Sequence, residues 1–197
     1  QTGQDHFYHT GNYFCEPKGQ CGTQKPVDTY PILANLFLGG EMAKQVYYDD
    51  IEVGSEITPL AKVATSRMLV QWAGASGDFN PLHYDEDFAK AMGVGAPIVH
   101  GALKRAWLGH LMTDWIGEEG KLKKLSCQYR GMDYPRKMKT MEEPRDGETW
   151  WCKGKVTKKY EENGEHLVEC EIWAENGKGE KTTPGSALVA LPIRTKK

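Results

Sequence analysis

The pattern of apolar and polar positions changes character along the 197-residue chain. From Arg67 to Ala75 apolar residues recur at helical spacing, with Leu69, Val70 and Ala73 on one face and Ser66 as the expected cap. A short helix is predicted from about Asp85 to Met92; Asp85, Glu86 and Asp87 occupy its first turn, where the helix dipole favours acids. The longest stripe covers Gly101 to Ile116. Its apolar positions Leu103, Ala106, Trp107, Leu111 and Trp115 recur every three or four residues, broadened by Ala102, Leu108 and Met112. Gly117 and Gly120 end it. From Leu122 onward the period shortens to two. Strands are predicted over 125–130, 149–160, 167–174 and 186–193, punctuated by Gly147, Asn163-Gly164 and Asn176-Gly177. Another strand-like stretch precedes the first helix. This order predicts an α+β fold with helices packed on one face of an antiparallel sheet.

Residues 1–45 differ from the remainder of the chain. They are rich in glycine, aromatics and turn formers and hold no sustained period, although Tyr30 to Leu38 carries apolar weight that should dock on something. They read as an extension or arm that wraps the domain or a partner, with residues 46–197 forming the main domain.

Composition narrows the function. With 39% hydrophobic and 26% charged residues the chain can bury a core, and its net charge of -2 gives no electrostatic reason to expect nucleic acid or an anionic membrane as partner. No apolar run approaches the roughly 20 residues of a bilayer-spanning helix. The N-terminal residues lack the basic and apolar regions of a secretory signal. Five cysteines at irregular spacing do not form a disulfide framework. Cys127, Cys152 and Cys170 sit in strand-like stretches, where a free thiol behaves as a small apolar group, so a reduced cytoplasmic protein is expected.

The informative segment is Gly77-Asp78-Phe79-Asn80-Pro81-Leu82-His83. Pro81 fixes its own φ and biases Asn80 to extended backbone, so the segment is stiff and can hold a carboxylate and an imidazole at a set separation. Neither Asp78 nor His83 completes an apolar face. Asn80 can hydrogen-bond the backbone or orient a neighbour. An Asp before an Asn-Pro turn is also an ordinary local cap, and a lone His is commonly a packed residue.

This segment, followed after a short helix by Pro97-Ile98-Val99-His100-Gly101, resembles the signature of the MaoC-like, R-specific enoyl-CoA hydratase family. Arg130-Gly-Met-Asp-Tyr-Pro135 resembles a further family strand, and the resemblance covers roughly residues 47–193. It implies a hot-dog fold, an antiparallel sheet wrapped around one long central helix, here the stripe from Gly101. It implies that Asp78 and His83 are the catalytic acid/base pair, activating a water between them. Gly101 would offer its backbone N–H to the thioester carbonyl, and Asn80 would belong to the substrate site. The implied reaction is reversible syn addition of water to a 2-enoyl-CoA, giving an (R)-3-hydroxyacyl-CoA. No cofactor and no metal is implied; coenzyme A, or an acyl-carrier protein, belongs to the substrate. The chain holds one hot dog, so a homodimer is expected, or a heteromer with a related subunit.

The chain departs from the family on the central helix. Where members acting on short acyl chains place a Ser near the catalytic Asp, this chain has Gly109, with Thr113 one turn later. That puts acyl-chain specificity in question more than reaction class. His100 reads as a histidine that packs or bonds beside the helix start. His6, His9, Cys15 and Cys21 are zinc-binding residue types, set against the plainer reading of a glycine- and aromatic-rich arm. Lys104, Arg105, Arg130, Arg136 and Lys137 are candidates for the CoA phosphates, against plain surface. Two other functions compete. A hot-dog acyl-CoA thioesterase would need an acid from the central helix, which offers only Asp114 near its far end. A non-catalytic acyl-binding subunit would have no use for both Asp78 and His83.

Overall fold

The computed structural model describes residues 45–194 and, before them, the backbone of two short strands. Strands β1 (Tyr13–Cys15) and β2 (Cys21–Thr23) pair antiparallel, with Cys15 opposite Cys21. The side chains considered as zinc ligands, and the segment from Tyr30 to Leu38, lie outside the described residues. By its contacts the chain divides into two units, 1–42 and 43–197.

The larger unit contains β3 (Glu56–Lys62), α1 (Ser66–Ser76), a 3-10 turn (Pro81–His83), α2 (Glu86–Ala91), α3 (Gly101–Ile116), β4 (Lys121–Cys127), β5 (Trp150–Glu162), β6 (Glu165–Glu175) and β7 (Lys181–Ala190). The last five strands form one sheet in the order β3-β5-β6-β7-β4, antiparallel throughout.

Alternation fixes the register of its central hairpin. Cys152 and Val156 on β5, with Cys170, Ile172 and Ala174 on β6, are buried among the core residues. Lys155 stands opposite Glu171 on the other face, its ammonium 3.0 Å from the carboxylate, and Lys153 pairs with Glu175. Exposed cross-strand pairs of this kind contribute about 0.2–1 kcal/mol each. A slip of one residue would carry the lysines into the core, which specifies the pairing far more strongly. The Asn163-Gly164 turn closes the hairpin, as such dipeptides do.

Each ladder of the sheet contains a register shift, at Ile57/Leu60, Leu122/Lys124, Val156/Lys158 and Ala174/Glu175. Bulges bend and twist the strands that carry them. The sheet wraps α3, which touches all five strands. Leu108, Leu111 and Met112 are buried there with Trp150, Val168 and Val189, and the Trp107 and Trp150 rings lie 6.1 Å apart.

Four local expectations are corrected. Thr65, not Ser66, caps α1, its hydroxyl accepting from the Met68 N–H at 3.1 Å. Val70 is exposed, so the buried face of α1 rests on Leu69 and Ala73. On α3, Ala106 is exposed and Lys104 is buried. Leu103, Trp107, Leu108, Leu111 and Met112 are buried as expected, and Lys104 joins them paired with the Asp133 carboxylate. The last correction concerns strand ends: β4 begins at Lys121 and β7 at Lys181, each several residues before its predicted start, and residues 128–130 fall outside β4.

Candidate active site

Helix α1 ends at Gly77, which adopts a left-handed φ of 75°, and the chain turns there to present Asp78. The next residues build a ladder of local bonds. The Asp78 N–H donates to the Ser76 hydroxyl at 3.2 Å, and the Asp78 carboxylate accepts from the Asn80 N–H at 3.3 Å. The Asn80 side chain accepts from the Leu82 N–H at 3.0 Å and so caps the 3-10 turn, with Pro81 at its first position. Asn80 therefore hydrogen-bonds the backbone, one of the two roles the sequence offered for it. Its oxygen is engaged within the turn.

His83 is held from both sides of its peptide. Its Nδ1 lies 2.8 Å from the Ile98 carbonyl oxygen, and the Ile98 N–H donates to the Leu82 carbonyl at 3.2 Å. A carbonyl only accepts, so Nδ1 carries a proton, and in the neutral ring Nε2 keeps its lone pair. Nε2 faces Asp78, 3.9 Å from a carboxylate oxygen. That is too long for a direct hydrogen bond. One oxygen at about 2.8 Å from each atom would see them at an angle of about 90°, an acceptable geometry for a shared water. The His83 side chain is largely buried, whereas that of Asp78 is 45% exposed.

His100, expected as a packed histidine, packs against both of these residues. It is 0% exposed. Its ring stacks on that of His83 at 3.7 Å between centroids, and its Nε2 lies 3.3 Å from the Asp78 carbonyl oxygen. Nε2 must carry the proton there. Nδ1 is buried without a hydrogen-bond partner. Burial, and then the neighbouring His83, hold the His100 pKa below the usual histidine value, so its ring is neutral. Asp78, His83 and His100 bring ligand-type atoms within 4.8 Å of one another. With the two rings only 19° from parallel, their in-plane lone pairs run side by side and do not meet at one point. That is a poor donor set for a tetrahedral ion.

His100 is also the cap residue of α3, so Gly101 occupies the first helical position. Its N–H is one of the first-turn donors with no intrahelical acceptor. The Tyr129 ring lies so close that a Cβ on Gly101 would meet it at 2.8 Å and would have to displace it. A cavity of about 460 Å³ opens between these elements, lined by His83, Ile98, Val99, Gly101, Lys104 and the segment from Tyr129 to Met132. His83 and Gly101 therefore share one wall of one cavity. Asp78 stands beside it, 3.9 Å from His83.

The basic candidates separate. Lys104 is 2% exposed and paired with Asp133, so it is no surface phosphate ligand. Arg136 donates to the Glu148 carbonyl and the Thr149 hydroxyl, and Lys137 pairs with Glu86 at 3.1 Å. Arg130, at the cavity, bonds the Gln128 side chain and is exposed. Thr113, the nearest hydroxyl to the position expected for a helix Ser, is exposed and donates to the His110 carbonyl. A second cavity, of about 490 Å³, is lined by Ile51, Leu60, Leu111, Asp114 and Trp115. Asp114 is exposed and paired with His110 at 3.0 Å, away from Asp78 and His83. No helix of the described residues is long and apolar enough to cross a membrane.

Known proteins resemble the chain in fold and over part of its sequence. The family model for the MaoC like domain matches residues 51–166, which include all of the site's first two motifs. A curated relative, the fatty acid synthase subunit beta of Gibberella zeae, is 26% identical over 119 residues; the match spans 57% of this chain and 6% of that protein. Among solved structures, the (R)-hydratase of A. caviae involved in PHA biosynthesis superposes with a TM-score of 0.60 at 24% identity, covering 72% of this chain and 98% of that one. R-hydratase PhaJ1 from Pseudomonas aeruginosa gives 0.63 at 21% identity, covering 76% and 88%. A chain of the ChsH1-ChsH2 complex from Mycobacterium tuberculosis gives 0.58 at 20%, covering 71% and 98%. These structural likenesses are likenesses of fold: the larger unit is a hot dog, α+β, with α3 at its centre.

Proposed function

This chain belongs to the MaoC-like dehydratase family, and on that basis we propose that it hydrates 2-enoyl thioesters reversibly, with Asp78 and His83 as the acid/base pair. The observation that carries the reading is the contact of His83 Nδ1 with the Ile98 carbonyl oxygen, which turns Nε2 toward Asp78. With Nδ1 held by the Ile98 carbonyl, the free lone pair of Nε2 faces the Asp78 carboxylate across a gap sized for one water.

The reaction then follows from charge. The pair takes a proton from the water, and the water oxygen bonds to the β-carbon of the enoyl group. The electron pair of the double bond moves toward the thioester carbonyl, whose oxygen becomes negative. The Gly101 N–H, at a helix N-terminus, is a fixed donor for that oxygen and carries the favourable end of the helix dipole. The pair returns a proton to the α-carbon, and the charge collapses. Both additions come from the side where the pair stands, which gives syn addition and, by likeness to the family, the (R)-3-hydroxyacyl product. Coenzyme A, or an acyl-carrier protein, is the thioester carrier. No residue in this scheme needs a metal or redox group. Asn80 contributes through the turn it caps.

As a hot dog with one site, the chain is proposed to work as a homodimer in the cytoplasm. A heteromer with a related subunit is the alternative, and the likeness to a chain of a two-component complex favours keeping it.

The test is an absorbance assay with crotonyl-CoA and longer enoyl-CoAs, with free thiol followed in parallel. Loss of enoyl absorbance without thiol release supports hydration. Thiol release without loss of the double bond would make the protein a thioesterase and overturn the proposal.

A further inference from the structure

Lys104 and Asp133 form an ion pair in the interior, 2.6 Å apart and 2% and 1% exposed. Removing two charges from water is expensive, and a pair of apolar side chains of similar volume is often as stable or more so. The proposed reaction uses neither residue. Their bonds lead to the carbonyl donor. Lys104 stands three residues after Gly101 on α3, and its ammonium donates to the Asp133 carboxylate and to the Gly131 carbonyl at 2.9 Å. The Asp133 main-chain oxygen accepts from the Val99 N–H, two residues before Gly101, at 2.8 Å. Gly101 is thus bracketed by two links to one residue, one through each flank.

The far end of this clamp is also fixed. The Asp133 carboxylate accepts from the Thr182 hydroxyl at 2.8 Å, and the N–H groups of Arg130 and Gly131 donate to the Thr182 carbonyl at 2.9 and 3.1 Å. The segment held this way carries Met132 in the cavity lining and is preceded directly by Tyr129, whose ring lies against Gly101. The start of α3 and the segment from Tyr129 to Asp133 are therefore tied together through one buried residue, by its main-chain oxygen on one flank and its carboxylate on the other.

Resting on the proposed hydratase reading, we infer that Lys104 and Asp133 are a positioning pair that sets where the Gly101 N–H meets the thioester carbonyl. They touch no reacting atom. Their effect is exerted on the donor, so it falls on the transition state, where the carbonyl charge is largest, more than on substrate binding.

The single K104M variant would leave Asp133 buried without its partner and is expected to unfold. The test therefore uses the K104M/D133L double variant, which removes both charges together, and T182V, which removes one bond to the Asp133 carboxylate. Each is compared with wild type for hydration of crotonyl-CoA, thermal midpoint, and the carbonyl infrared band of bound butyryl-CoA labelled with carbon-13. The expected double variant keeps its midpoint and KM, loses about 10- to 100-fold in kcat, as a small misplacement of a catalytic group does, and shifts the carbonyl band toward its value in water. T182V is expected to lose less, in the same direction. It decides the matter if the double variant does not fold. A folded double variant with wild-type kcat and an unmoved band overturns the inference and leaves the acid/base reading intact; T182V with both unchanged does so in its absence. A wild-type protein that neither hydrates nor binds these thioesters overturns both.

Discussion

The imidazoles of His83 and His100 lie face to face, 3.7 Å apart at their centroids, while His100 also reaches the backbone carbonyl of Asp78. One buried side chain thus supports both members of the proposed acid/base pair. A phenylalanine could stack as well but could not donate to that carbonyl. A charged ring could donate but would repel a protonated His83. Only the neutral form serves both contacts.

That neutrality has a pH signature. The folded His100 holds its pKa below the ordinary 6.5 because it is buried. As pH falls below the ordinary value, the unfolded chain takes a proton that the folded chain resists. The stability His100 contributes is fully present above that range and is lost as pH falls through it toward the folded pKa. In H100Q, where an amide can still donate to the Asp78 carbonyl, the thermal midpoint should fall less steeply between about pH 7.5 and pH 5 than in wild type. Parallel curves would show that His100 titrates normally in the fold.

For the pair itself, D78N and H83A should each lower kcat for enoyl-CoA hydration by at least about 10²-fold. Their circular dichroism and thermal midpoints should stay near wild type, since Asp78 is half exposed and its backbone bonds do not need the charge. A folded variant of near wild-type rate would remove that residue from the chemistry.

A complex with a 3-hydroxyacyl thioester tests the carbonyl donor directly. The carbonyl oxygen should lie about 2.7–3.2 Å from the Gly101 nitrogen. The β-carbon should face the gap between Asp78 and His83. A productively bound thioester whose carbonyl is held by other donors would remove the electrostatic half of the mechanism and leave the acid/base half standing.

The thiols offer a check on the core. Burial pushes the pKa of both Cys152 and Cys170 up to about 12, so neither is a thiolate near neutral pH. After brief alkylation of the native protein at about pH 8, peptide mapping should find both unmodified, and modified once denaturant is added. Rapid native labelling at either position would contradict the sheet register that buries them.

The elements that local pattern controls are legible in the sequence. Helix α3 runs from Gly101 to Ile116 as expected, because its start is set by a turn and its end by Gly117. The Asn163-Gly164 hairpin and the antiparallel sheet follow from turn chemistry and alternation. Asp78 and His83 stand out because a stiff Asn-Pro turn joins them. Lys104 does not, because its burial depends on Asp133, 29 residues away in a segment without periodicity. The stacking of His100 on His83 is hidden for the same reason: two loops meet there, and the Ile98 carbonyl that joins them is a backbone atom every residue possesses. The ends of β4 and β7 escape the pattern because their pairing with each other, and not composition, fixes where they stop.

The bond from His83 to the Ile98 carbonyl also decides how protons travel. A ring whose second nitrogen met water could pass a proton through itself to solvent, acting as a wire. Here that nitrogen donates to an oxygen that cannot take the proton onward, so the ring is a dead end with one door. Whatever proton His83 accepts at Nε2 must leave by the same atom. On the proposed mechanism, exchange with bulk water falls to Asp78, whose carboxylate is 45% exposed. In the proposed mechanism the two residues divide the labour, His83 receiving the proton at one atom and Asp78 linking the pair to solvent.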